Sequence, residues 1–251
     1  MLLHHTLERL HELRLRGMAD ALAEQLNTSS ASDLSFEDRL GLLVEQEMTW
    51  REDRRLRRLL REARLRMEAS VEDVDFRAPR GLDRSVFMRL GTGDWIRQHQ
   101  VVLIVGPTGV GKTYLACALG QAACRRGLST RYFRMSRLMG DLALARADGS
   151  YVKLLTKLAK ADLLLLDDWG LAPLADIERR DLLEVLEDRY GRRATLVTSQ
   201  LPIEHWHEYL ASPTLADAIL DRLVHGAHKL ILKGGSMRKA TARQKNASSA
   251  D

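Results

Sequence analysis

Aromatic residues are scarce in this 251-residue chain, at 5% against 29% charged residues. Such a composition fits a soluble, helix-rich protein. No apolar run approaches the ~20 residues needed to cross a bilayer. The opening Met1-Leu2-Leu3-His4-His5-Thr6 passes straight into charged sequence, without the apolar stretch of a secretory leader. A cytoplasmic protein with no membrane partner is therefore expected. There are two cysteines, Cys117 and Cys124, on one predicted helix. Seven positions of helix separate them by roughly 10 Å along the axis, beyond the reach of a disulfide. They read as small buried apolar side chains in a reducing compartment. No Cys/His spacing resembles a zinc site, so His205, His207, His225 and His228 read as packing or surface residues. No serine–histidine–acid arrangement stands out, and no covalent nucleophile is proposed.

What the chain does have is Gly106-Pro107-Thr108-Gly109-Val110-Gly111-Lys112-Thr113, which fills every fixed position of GxxxxGK[ST]. The apolar run Val101–Val105 precedes it, and Tyr114-Leu115-Ala116-Cys117-Ala118-Leu119 follows as helix. The order strand, glycine-rich loop, helix is the context that phosphate binding requires. Backbone N–H groups converge on phosphate oxygens, and the helix N-terminus adds the positive end of its dipole. Lys112 is placed to reach the terminal phosphates and Thr113 to put its hydroxyl on magnesium.

Leu163-Leu164-Leu165-Leu166-Asp167-Asp168 supplies the complementary acids. Four leucines predict a strand buried on both faces, and Asp167 emerges at its carboxyl end, where ligands of open α/β sheets bind. Its carboxylate can hold magnesium through the ion's waters. Asp168 beside it is suited to orient an attacking water and relieve it of a proton. Thr195-Leu196-Val197-Thr198-Ser199-Gln200 ends another strand in polar residues. Either Gln200 or Ser199 there contacts the γ-phosphate or the water, or the segment is a capped turn before Pro202. Arg222 reads either as an arginine supplied to a neighbouring subunit's γ-phosphate or as a surface partner of Asp217 or Asp221.

Strand candidates at Val101–Val105, Thr130–Phe133, Leu163–Leu166, Ala194–Thr198 and Lys229–Leu232 alternate with helices. That alternation argues for a parallel five-stranded sheet covered on both faces. The expected division is a helical N-terminal domain over 1–70, a connector over 71–99, an α/β domain over 100–233 and a basic tail over 234–251. Ser35 is the expected N-cap of a helix running from Phe36 towards Met67. Trp95 and Ile96 are placed to dock on the domain that follows.

The net charge is +5. Eight arginines lie between Trp50 and Met67: Arg51, Arg54, Arg55, Arg57, Arg58, Arg61, Arg64 and Arg66. Leu56, Leu59, Leu60, Ala63 and Met67 form an apolar stripe on the same predicted helix, which turns most of the arginines outward. Such a face either contacts DNA phosphates without reading bases or is a solvated surface. Arg51, Arg54, Arg55, Arg58 and Arg61 are the DNA candidates.

Together these segments resemble the AAA+ ATPases of the DnaC and IstB branch, and within it the IstB-type helper ATPases of bacterial insertion sequences. Gly106–Thr113 is similar to the family's Walker A and Leu163–Gly170 to its Walker B. Asp168 stands where most AAA+ proteins carry Glu. Thr198–Pro202 is similar to sensor one, with Gln200 at a position commonly Asn. Ile219–Leu223 is similar to the arginine-finger box, and Gly235-Ser236-Met237-Arg238 to the branch's terminal Gly-x-Ser-x-Arg. Only 19 residues follow Leu232, too few for a full helical lid. The resemblance implies an AAA+ P-loop core with the lid absent or vestigial, and Arg238 as a nucleotide-contacting replacement for the lid arginine. It further implies ATP and Mg2+ as cofactors, ATP-dependent homo-oligomers on duplex DNA, and recruitment and stimulation of a cognate transposase during target selection. The alternatives are a DnaC-like replicative helicase loader and a nucleotide-gated DNA scaffold with negligible turnover.

Overall fold

A computed structural model describes residues 2–28 and 34–237, with side chains from His5 onward. The chain divides into two compact units, Met1–Arg58 and Leu59–Asp251. The larger takes in positions 59–99, which the sequence reading gives to the helical domain and the connector.

The smaller unit holds α1 (Leu2–Glu12), α2 (Arg16–Asn27) and all but the last five residues of α3 (Phe36–Ala63). Ser35 caps α3, its hydroxyl accepting from Asp38 N at 3.1 Å. α2 packs so tightly on α3 that a Cβ at Gly17 would lie 2.7 Å from Gln46 O. Glu47 is buried there and accepts from Met18 N at 3.2 Å and Arg51 Nε at 2.6 Å. Burial works to raise the Glu47 pKa, but those partners outweigh it and hold the carboxyl below the usual range.

The larger unit is built on five parallel strands: β1 (Val101–Val105), β2 (Thr130–Arg134), β3 (Leu163–Trp169), β4 (Ala194–Ser199) and β5 (His228–Ile231). Their order across the sheet is β2-β3-β4-β1-β5. The five expected strands are all present, within one residue at each end except that β3 runs three residues further, to Trp169. Alternation along each strand sends side chains to opposite faces. Val102, Ile104, Leu163 and Leu165 enter one core; Leu103, Val105, Leu164 and Leu166 enter the other.

The first core holds α6 (Lys112–Arg125), with both cysteines buried and unpaired. It also holds α4 (Arg84–Gly91) and α5 (Asp94–Arg97). Asp83 caps α4 through Ser85 N and Val86 N. Trp95 is buried and donates from Nε1 to Leu90 O at 2.9 Å. On the other face lie α7 (Met135–Ala147), α8 (Tyr151–Lys160), α9 (Asp176–Arg189), α10 (Trp206–Leu210) and α11 (Pro213–Val224). No helix among the described residues is long and apolar enough to cross a membrane.

Candidate functional site

The glycine-rich loop leaves the carboxyl end of β1 and enters α6 at Lys112. Gly106 N donates to Ser199 O at 3.1 Å, which ties the loop to the end of β4. Two of its glycines are dictated by geometry. Gly109 has φ +84°, and a Cβ there would run into the Ser236 side chain. Gly111 has φ +99°, and a Cβ would stand 2.5 Å from Arg80 Nη1. Both sit in the left-handed region that L side chains rarely adopt.

Lys112 is buried, and its ammonium donates to Gly106 O at 2.7 Å and Pro107 O at 2.9 Å, inside the curl of the loop. Thr113, one residue on, donates to Asp167 with both carboxylate oxygens at 3.0 Å. Asp167 is 1% exposed. Tyr132 OH donates to its Oδ2 at 2.6 Å, and the Thr198 hydroxyl donates to its Oδ1. Burial drives the Tyr132 phenol pKa far up and the bond to Asp167 adds to it, so Tyr132 remains a donor.

Asp168 points differently because the sheet is irregular here. Between Leu166↔Val197 and Trp169↔Ser199, β3 has one residue more than β4. Asp168 takes φ +63° in this bulge, which re-aims its side chain. Arg134 Nε donates to Asp168 Oδ2 at 3.0 Å. Arg66 Nη1 stands 3.6 Å from Asp167 Oδ2 and 3.7 Å from Asp168 Oδ2. The sequence places Arg66 in a run of eight arginines, most of them expected to face outward; the structure turns this one to the acidic pair.

At the end of β4 the two polar candidates part. Ser199 is buried and donates to Trp169 O at 2.9 Å and Leu201 O at 3.0 Å. Gln200 reaches the loop, where its Oε1 accepts from Thr108 Oγ1 at 2.5 Å. The loop, Asp168 and Gln200 share a cleft of about 430 Å³, also lined by Arg66, Asp75, Arg80 and Tyr114. That volume lies within the range of small-molecule sites.

Sequence reasoning missed Arg80. It is 4% exposed, donates to Val110 O at 3.1 Å and Asp75 O at 2.9 Å, and thereby braces the loop from outside. Burial lowers its pKa, partly offset by Asp75. Tyr132 and Arg134 were missed as well, and the sequence marks Thr198 only as part of the polar strand end, not as a partner of Asp167. The register Arg134↔Asp167 puts the end of β2 beside the acids, a pairing that strand order alone reveals.

Arg222 is not brought to the cleft of its own chain. It donates to Ala218 O at 2.7 Å and Glu187 Oε1 at 2.8 Å, so its acidic partner is Glu187 rather than Asp217 or Asp221. Arg238 lies outside the described residues. The side chains of Arg51, Arg54, Arg55, Arg58 and Arg61 are exposed on α3. Arg51 pairs with Glu47, and the Arg54 guanidinium lies 5.3 Å from the Trp50 ring. Among the described residues no group of three or more His, Cys, Asp or Glu could hold a metal. The Thr113 hydroxyl and Asp167 carboxylate nevertheless fit magnesium, which takes few protein oxygens and fills its shell with water and phosphate.

Comparison with known proteins agrees with this geometry. The family described as "IstB-like ATP binding protein" matches residues 8–245. An insertion-sequence ATP-binding protein of Sinorhizobium fredii is 54% identical over 244 residues, covering 97% of this chain and all of that protein. One of Mycobacterium tuberculosis is 34% identical over 231 residues, covering 91% of this chain and 92% of that one. The crystal structure of the DnaC helicase loader superposes with a TM-score of 0.52 at 20% identity, over 66% of this chain and 97% of that one. At that identity the likeness concerns the fold, an AAA+ P-loop domain.

Proposed function

The chain belongs to the family of IstB-like ATP binding proteins, and from that premise we propose that it is a DNA-binding AAA+ ATPase that assists a transposase. One observation carries the reading: the Thr113 hydroxyl, at the start of α6, bonded to both oxygens of the buried Asp167 carboxylate. This is the pairing that a magnesium-bound triphosphate needs on the phosphate loop.

In this reading the loop N–H groups and Lys112 bind the phosphates, and Lys112 exchanges its bonds to Gly106 O and Pro107 O for phosphate oxygens. Thr113 and Asp167 would hold Mg2+, which would supply neutralisation of the phosphate charge. Asp168, aimed by the bulge, orients the attacking water and accepts its proton. Gln200 positions the γ-phosphate or that water. Arg222, remote from its own loop, serves the site of a neighbouring copy, so ATP bridges subunits and favours assembly. Arg238, beyond the described residues, contacts the nucleotide. The α3 arginines Arg51, Arg54, Arg55, Arg58 and Arg61 contact the phosphates of duplex DNA. The cytoplasm is the compartment in which nucleotide, DNA and transposase meet.

The names of the relatives favour this reading over a replicative helicase loader, since those at 54% and 34% identity belong to insertion sequences. The test is nucleotide binding and phosphate release, with magnesium, with and without duplex DNA and the cognate transposase. Binding, DNA-stimulated release and capture of the transposase are expected. No affinity for ATP with magnesium would overturn the reading.

A further inference from the structure

Two carboxylates and two guanidiniums meet at the end of β3, and their roles are not alike. Of the two acids, Arg134 is bonded to Asp168, donating from Nε at 3.0 Å. Arg66 stands almost equidistant from Asp167 Oδ2, at 3.6 Å, and Asp168 Oδ2, at 3.7 Å. Asp167 Oδ2 already accepts from Tyr132 and Thr113. Arg66 is therefore a second-tier partner of a carboxylate whose hydrogen bonds are met by others. What it contributes at that atom is mainly charge.

The position of Arg66 is set by packing on either side of it. The preceding residue, Leu65, covers α6: a Cβ at Gly120 would lie 3.0 Å from Leu65 Cδ2. Arg131 of β2 holds the last turn of α3 through the Glu62 carbonyl and carboxylate, the latter at 3.0 Å. The Arg66 guanidinium lies against the Tyr132 hydroxyl. Its side chain keeps 41% exposure, so it has room to move away without unpacking the core.

We propose that Arg66 is a positioning residue that acts as an internal counter-cation of the Asp167–Asp168 pair and sets how much magnesium the site needs. The inference rests on the nucleotide reading above. A fixed positive charge a few ångströms from the metal-binding carboxylate weakens its hold on a divalent cation. It also keeps two adjacent carboxylates from repelling each other while no cation is shared between them. Nucleotide binding with magnesium thus requires Arg66 to give up Asp167, and Asp168 remains its nearest acidic partner.

The test follows binding rather than turnover. Magnesium is titrated against the full chain and a fluorescent ATP analogue. Arg66→Gln should reach half-saturation at on the order of tenfold less magnesium than wild type, the effect being moderated by solvent screening. Arg66→Lys, which keeps the charge, should need as much magnesium as wild type. Arg66→Met keeps the packing of the stem and serves where Arg66→Gln does not fold. An unchanged magnesium requirement in the neutral variants overturns the proposal. So does an equal loss of affinity with magnesium and with chelator, which a merely structural role would give. A wild-type protein that binds no analogue at any magnesium concentration would instead overturn the nucleotide reading itself.

Discussion

Tyr132 and Asp167 form a buried phenol–carboxylate pair, with the hydroxyl of β2 donating to Oδ2 of β3 at 2.6 Å. The pair fixes the rotamer of the acid that faces Thr113, from the side opposite the phosphate loop. Tyr132→Phe keeps the ring and removes the donor. It should cost about 1–2 kcal/mol of stability, because a charged acceptor loses one of its buried bonds. Denaturant unfolding of the two proteins measures this, and nucleotide binding should persist.

Lys112→Ala removes the buried ammonium that lies within the loop. Both ATP affinity and ATP-dependent assembly should disappear. Size-exclusion chromatography with and without nucleotide checks it; assembly of wild type and variant alike without nucleotide would contradict the mechanism.

Asp168→Asn retains Asp167 and Thr113 and should still bind ATP. Its turnover should fall by on the order of 10²–10⁴, the usual contribution of a general base. The protein should then accumulate in the assembled state, which electron microscopy with duplex DNA would display.

Arg222→Ala should bind ATP as wild type does yet hydrolyse it slower, by about 10³ or more if the arginine acts in trans. Mixing it with Lys112→Ala is the sharper measurement. Each variant alone should be inactive, and the mixture should regain activity at interfaces that combine one intact loop with one intact Arg222. No recovery on mixing would count against a trans role.

Glu47 gives a pH prediction. Its folded pKa is depressed by Arg51 and Met18 N despite burial. A depressed carboxylate contributes stability that is present above the unfolded value, near 4.5, and lost as pH falls through the folded one. Glu47→Gln should therefore lower the melting temperature at pH 7, with the gap to wild type closing below about pH 4. Thermal melts at the two pH values check it.

The parts legible in the sequence were those whose physics is local. Strand, loop and helix around Gly106–Thr113 follow from residues within a few positions of one another. So do the buried run Leu163–Leu166 and the Ser35 cap of α3. The sequence did not disclose Arg80, Tyr132 or Arg134, since each acquires its role from a residue at least 30 positions away. It also could not separate Arg66 from its seven neighbouring arginines, because identical chemistry on adjacent positions carries no sign of direction.

By itself, then, the order of residues determined the phosphate loop, the acids that answer it and the alternation that builds a parallel sheet, because short-range periodicity and backbone permission encode all three. Tertiary structure alone decided which side chains surround those acids. Strand order sets β2 beside β3, the bulge at Asp168 turns one carboxylate from the other, and the packing of Leu65 on α6 delivers Arg66 to both. Electrostatic partnership depends on distances through space, and those exist only once the chain has closed on itself.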